Sequence, residues 1–175
     1  MMIRKFGVIA AAMLLSVPGP GLAQGSAIND AQIAHVAYTA GQIDVDAGRQ
    51  ALERSSNADV RAFAKTMVRD HTAVNEQALA LVQRLHVTPE ANSTSAALSA
   101  GAAEAHGRLS ALQGAAFDHA YLENEVAFHR AVNNALREIL IPAAHNTELK
   151  ALLEAGFALF SAHQEHAEML VGKLP

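Results

Sequence analysis

Three histidines, His71, His129 and His163, each fall near the middle of a long segment with helical periodicity, on or beside its apolar stripe. The middle of a helix that faces a core is dry. An imidazole placed there needs a carboxylate, a backbone carbonyl or a metal ion as partner. Carboxylates recur beside these histidines. The chain holds Asp70-His71, Glu125 four residues before His129, and His163 three residues before His166. The last two spacings put each pair on one helical face. Imidazole and carboxylate groups together suit one divalent transition metal ion, if the helices bring them to one level. Other chemistries lack their residues. There is no cysteine, hence no thiolate nucleophile, no disulfide and no Cys-based zinc or haem attachment. No Ser-His-Asp order, glycine-rich phosphate loop or nucleotide fingerprint is present. No reaction is indicated, so the chain reads as a binding or structural protein rather than an enzyme.

The elements that must position these groups are all helical. A first helix is predicted from about Asp30 to Ser55, capped by Asn29. Its stripe runs Ala34, Tyr38, Gly41, Val45, Gly48 and Leu52, in steps of three and four. Glycine weakens a helix, so Gly41 and Gly48 on this stripe imply close approach of a neighbour. After the Ser55-Ser56-Asn57 break a second helix runs to about Leu85, with Val60, Ala64, Met67, His71, Val74, Ala78 and Val82 on one face. Val87-Thr88-Pro89 stops it. Residues 91–105 are rich in Ala, Ser and Gly and read as a crossover with a weak helix reaching about Leu112. The third main helix is predicted from Ala115 to Leu140, ended by Pro142, with Phe117, Tyr121, Glu125, Phe128, Val132, Leu136 and Ile139 as its stripe. The fourth, capped by Asn146 or Thr147, carries Leu149, Leu153, Gly156, Phe160, His163, Ala167 and Leu170. Short links within each pair and one longer link in the middle give an all-α, antiparallel four-helix bundle with a short extra helix in the central crossover.

Counting from the turns at about 1.5 Å per residue places His71 opposite Gly41 to Asp44, and His163 opposite Glu125. His129 falls about one turn away. Asp44, His71, Glu125, His129 and His163 are therefore predicted to share a central layer and are the candidate metal ligands. His35, Tyr38, Tyr121 and His166 are predicted to lie together nearer one end.

The N-terminus has the form of an export signal. Arg4 and Lys5 precede the apolar run Phe6–Val17, which Pro18 to Gly21 break, and Gly21-Leu22-Ala23 offers small residues for cleavage after Ala23. The run is shorter than the roughly 20 residues a spanning helix needs. Residues 1–23 thus read as a secretory signal peptide and 24–175 as a single periplasmic domain with no integral membrane span. Without Arg4 and Lys5 the chain carries 11 basic against 17 acidic residues, a net charge of −6 with neutral histidines. The charges are scattered and form no basic stripe, which excludes nucleic acid as a partner. Oligomeric state is not readable from the sequence.

The segments Gly41-Gln42-Ile43-Asp44-Val45-Asp46-Ala47-Gly48 and Val60 to His71, and Ala116-Phe117-Asp118-His119-Ala120-Tyr121-Leu122 followed by His129, together resemble the bacterial secreted family called Domain of Unknown Function 4142. Leu149-Lys150 followed by His163 fits the same pattern, and the resemblance covers nearly all of residues 29–172. It implies a ferritin-like bundle and no established activity. Where the family is expected to carry Glu in the first helix, this chain has Asp44, a shorter reach. Ferritin-like di-iron sites use Glu-x-x-His on two helices; this chain contains neither Glu-x-x-His nor Asp-x-x-His, which argues against a complete di-iron centre. Three readings follow. The first is a periplasmic, ferritin-like protein in a stress-related role, holding a divalent metal ion or small ligand in its core. The second is a structural or interaction bundle whose core histidines are hydrogen-bonded. The third is a haem-binding bundle with axial ligands from His71, His163 or Met67.

Overall fold

The computed structural model describes residues 28–174, and among these the only regular structure is helical. The expected signal peptide lies outside the described residues. Helix α1 (Asp30–Arg54) begins at Asn29, whose side chain accepts the Gln32 backbone N–H while the Gln32 side chain accepts the Asn29 N–H. This reciprocal cap satisfies two of the donors that every helix start leaves open. Helices α2 (Ala58–Arg84) and α6 (Thr147–Val171) start on Asn57 and Asn146, whose side chains each accept two backbone N–H groups of the first turn without a reciprocal partner.

Helix α3 (Ser93–Ser110) is longer and more regular than the predicted weak helix. Alanine is the best helix former, and Asn92 and Ser95 form a full capping box at its start. It is nonetheless lightly anchored, with only Ser95 and Leu109 buried. Gln50 of α1 donates to the His106 carbonyl and to Ser110 Oγ, and Arg54 donates to the carbonyls of Ser110 and Leu112.

Helix α4 (Gly114–Ala135) departs from prediction at its end. Pro142 does not terminate it. The chain passes through a π-helical turn, Leu136–Leu140, and on into α5 (Ile141–Ala143), which contains the proline. The Ile141 N–H bonds the Leu136 carbonyl, five residues back. Proline crowds the preceding turn of an α-helix and lacks an N–H; the wider π turn before it takes up that mismatch. The stripe also differs. Beyond Glu125 the buried positions are His129, Asn133, Leu136 and Leu140. Phe128, predicted to be core, is half-buried against the α3 groove, and Ile139 is exposed.

Helices α1, α2, α4 and α6 pack side by side, with α3 lying across α1 and α4. Two apolar clusters fill the interior. One joins Ala51 of α1, Phe63 and Met67 of α2, Phe117 and Tyr121 of α4, and Ala167 and Leu170 of α6. The other joins Ile33 and Val36 of α1, Leu81 of α2, Leu136 and Leu140 of the π turn, and Leu149, Leu153 and Phe160 of α6. Start meets end in each neighbouring pair, so α1 and α6 run opposite to α2 and α4. Close approach of α1 to α2 depends on glycine. A Cβ on Gly48 would stand 2.9 Å from the Val68 side chain and 3.0 Å from the Ala64 carbonyl, and one on Gly41 would collide with Asn75. The predicted end group does not form as one. Tyr121 and His166 meet at Phe63 in the first cluster, whereas Ala37, next to Tyr38, packs in the second.

Candidate metal centre

Between the two apolar clusters lies a polar layer. Asp44 of α1, His71 of α2, Glu125 and His129 of α4, and His163 of α6 are all buried, none more than 4% exposed. The three imidazole rings surround one point, with centroids 5.3 to 5.6 Å apart. His129 is level with the other two rather than a turn away. Phe160 of α6 stacks on His71 at 4.6 Å, their planes 11° apart, and holds that ring's orientation.

The outer nitrogens of two rings are held. His129 Nδ1 lies 3.0 Å from the Glu125 carbonyl oxygen. A carbonyl can only accept, so Nδ1 carries the proton and Nε2 keeps its lone pair. His163 Nε2 lies 3.1 Å from Asp70 Oδ2. Arg69 hydrogen-bonds the other Asp70 oxygen at 2.7 Å, and this bond above all holds the Asp70 carboxyl below its ordinary range. Asp70 is therefore the acceptor, and His163 Nδ1 keeps its lone pair. The freed nitrogens, His129 Nε2 and His163 Nδ1, have no hydrogen-bond partner among the described residues, and neither does either nitrogen of His71. Nitrogen atoms of the three rings come within 4.8 Å of one another.

The carboxylates form an adjoining group. Asp44, Glu125 and His129 also bring one ligand atom each within 4.8 Å of the others, so His129 belongs to both sets. Asp44 Oδ2 stands 3.5 Å from His71 Nε2, and Glu125 Oε2 3.6 Å from His129 Nδ1. Burial pushes the Glu125 carboxyl up to about 8, and its interaction with the neighbouring Asp44 carboxyl partly offsets this. Burial, then the neighbouring Glu125, holds Asp44 well above its ordinary range. The pair thus retains a proton at neutral pH, as two crowded carboxyls in a dry site must. Burial lowers His71 to about 2 and His129 to about 4, and lowers His163 despite its bond to Asp70. All three imidazoles are neutral, the form that coordinates a metal. The Tyr121 hydroxyl is buried without a hydrogen-bond partner among the described residues, and its pKa is raised by burial first and then by Glu125 and Asp44.

All five residues singled out by sequence occupy the layer. His166 does not; it packs edge-on against Phe63 at 5.3 Å. Asp70, which stands outside the five candidate ligands, contributes to the layer through His163. Adjacent residues on a helix point about 100° apart, so Asp70 cannot share His71's direction. It reaches His163 because α6 packs beside α2, a tertiary relation that its position next to His71 does not reveal.

The same fold occurs in the crystal structure of a secreted protein DUF305 from Streptomyces coelicolor. It matches with a TM-score of 0.70 over 81% of this chain and 91% of that one, at 11% identity. No curated protein matches the sequence. No helix among the described residues is long and apolar enough to cross a membrane. A family model fits residues 17–170, almost the whole chain, and with the resemblance in α1, α2 and α4 this shows that the protein belongs to the family Domain of unknown function (DUF4142).

Proposed function

We propose that this protein is an exported, ferritin-like metal-binding bundle that holds one divalent transition metal ion on His71, His129 and His163. Asp44 and Glu125 stand beside the ion as fourth and fifth ligand candidates. One observation carries the reading. The outer nitrogens of His129 and His163 are fixed by the Glu125 carbonyl and by Asp70, while their other nitrogens are buried without partners. Metal-ligating histidines are oriented by such an acceptor on the far nitrogen. Imidazole ligands favour zinc, copper, iron or nickel over calcium or magnesium. Small ring rotations would bring the nitrogens to the roughly 2.0–2.1 Å that zinc requires. Export to the periplasm rests on the sequence of residues 1–23 and suits a stress-related role in sequestering metal. Mass spectrometry of the exported product should find it starting within a few residues of Gln24; full-length chain confined to the membrane fraction would overturn that part.

The hydrogen-bonded alternative is weakened by the same orphaned nitrogens, since a core of satisfied histidines would pair them. Haem gains no support, because Met67, His71 and His163 are packed at 0 to 4% exposure. The test is thermal unfolding of the mature protein with and without zinc, copper, manganese and iron(II), repeated on His71→Ala and His163→Ala. A metal-dependent rise in midpoint that both variants lose is the expected result. If no metal moves the wild-type midpoint while both variants are strongly destabilised, the histidines are structural.

A further inference from the structure

Beside the second apolar cluster lies a partly open cavity of about 120 Å³ between α1, α2, α4 and α6, with Thr94 and Leu98 of α3 on one side. Much of its wall is small where a bundle core ordinarily carries larger side chains: Ala34, Ala40, Ala78, Ala135 and Gly156 all face it. Leu136, Leu153 and Phe160 complete an almost wholly apolar lining. Besides the exposed Thr94, one buried polar group stands in that wall. Asn75 is 7% exposed, and its Nδ2 is buried with no hydrogen-bond partner among the described residues. It is seated there because Gly41 leaves room for its carboxamide. A buried amide donor without an acceptor is costly, and a dry apolar cavity of similar size, roughly 150 Å³, accepts benzene. Both features are answered by the same kind of guest.

We propose that this cavity binds a small, uncharged, apolar molecule bearing a single oxygen acceptor, of the size of one six-membered ring, with its oxygen accepting a hydrogen bond from Asn75 Nδ2. The site is separate from the histidine layer, for Phe160 stands between them, lining the cavity and stacking on His71. Entry passes beside α3, where Ser95 and Leu109 are its only buried residues.

The experiment compares two probes of one shape, cyclohexanone and methylenecyclohexane. Each is titrated into the mature protein with chelator present, so that the histidine layer plays no part, and binding is followed by calorimetry and by amide NMR shifts. Saturable binding of both is expected, with cyclohexanone tighter by about fivefold or more. Amide shifts should centre on Ala40, Asn75, Ala78 and Ala135. Ala135→Leu, which fills the space, should abolish binding of both. Asn75→Leu should bind both probes equally. If that variant does not fold, the wild-type ratio and Ala135→Leu decide. No saturable binding, equal affinity for the two probes in the wild type, or binding that survives Ala135→Leu would each overturn the proposal.

Discussion

On one side of the histidine layer the interior is solid. Phe63, Met67, Phe117, Tyr121 and Leu122 are all 0% exposed, and their large side chains interlock across α2 and α4. On the other side leucines and isoleucine share the space with alanines and Gly156, and a cavity of about 120 Å³ remains. At about 24 cal/mol per Å³, such a void costs roughly 3 kcal/mol relative to a filled core. The same four helices thus build one half to hold the fold and leave the other with room. The polar layer sits where the two meet, and the solid half anchors the segments that carry it: Met67 lies one turn before His71, and Tyr121 and Leu122 lie one turn before Glu125.

The sharpest way to break this comparison is to make the same deletion in both halves. Leu122→Ala should cost about 4 kcal/mol, because a fully packed site cannot collapse. Leu153→Ala, beside space that is already empty, should cost about 2 kcal/mol. Urea unfolding of the two variants measures both. Equal losses would mean that the cavity side is as tightly packed as the other.

The layer itself supplies the next effects. A bound metal at a hundredfold its dissociation constant should add about 2.7 kcal/mol to unfolding, and His71→Ala should remove the gain. In the metal-free protein the carboxyl pair gives a pH dependence. Glu125 has a folded pKa of about 8 against 4.5 ordinarily. Its contribution is therefore fully present below about 4.5 and is lost as pH rises through 8. The histidines act with opposite sign. Their folded values lie below 6.5, so the unfolded chain takes up protons first and stability falls as pH drops below about 6.5. Metal-free protein should lose about 2 kcal/mol between pH 6.5 and 8, and Glu125→Gln should flatten that decline. A decline unchanged in the variant would place the titration elsewhere.

Asp70→Asn should weaken metal binding by about tenfold, or about 1.4 kcal/mol, with little change in the stability of the metal-free fold. This residue also marks the limit of what the sequence discloses. Periodicity located His163 well, because every residue of the Leu149 to Leu170 stripe is buried. It located Glu125 equally well and then lost phase, since Phe128 looks like core while the buried face continues through His129 and Asn133. The π turn that follows has no signature in a run of apolar residues. Asp70 is harder still, for its partner is 93 residues away and only the packing of α2 on α6 brings them together. Helix α3 was understated for a different reason: alanine and serine give no amphipathic stripe, yet alanine needs none to form a helix once Asn92 caps it.

The smallest predicted effect bears on whether the hollow half is merely loose. Ala78→Leu projects an isobutyl group into the cavity from α2. Leucine is nearly as good a helix former as alanine, and the new carbons replace empty space rather than displacing side chains. Filling a cavity in this way commonly adds about 0.5–1 kcal/mol, read as a rise in the urea midpoint at unchanged slope. An identical substitution into the solid half, Ala64→Leu, should instead destabilise by about 1–3 kcal/mol, because Ala64 is 0% exposed and surrounded. Opposite signs for one substitution at two levels of the same helix would show that the space beside Asn75 is real in solution. Two losses of similar size would show that the second half closes up when the protein is free to relax, and that the contrast between the halves belongs to side-chain size alone.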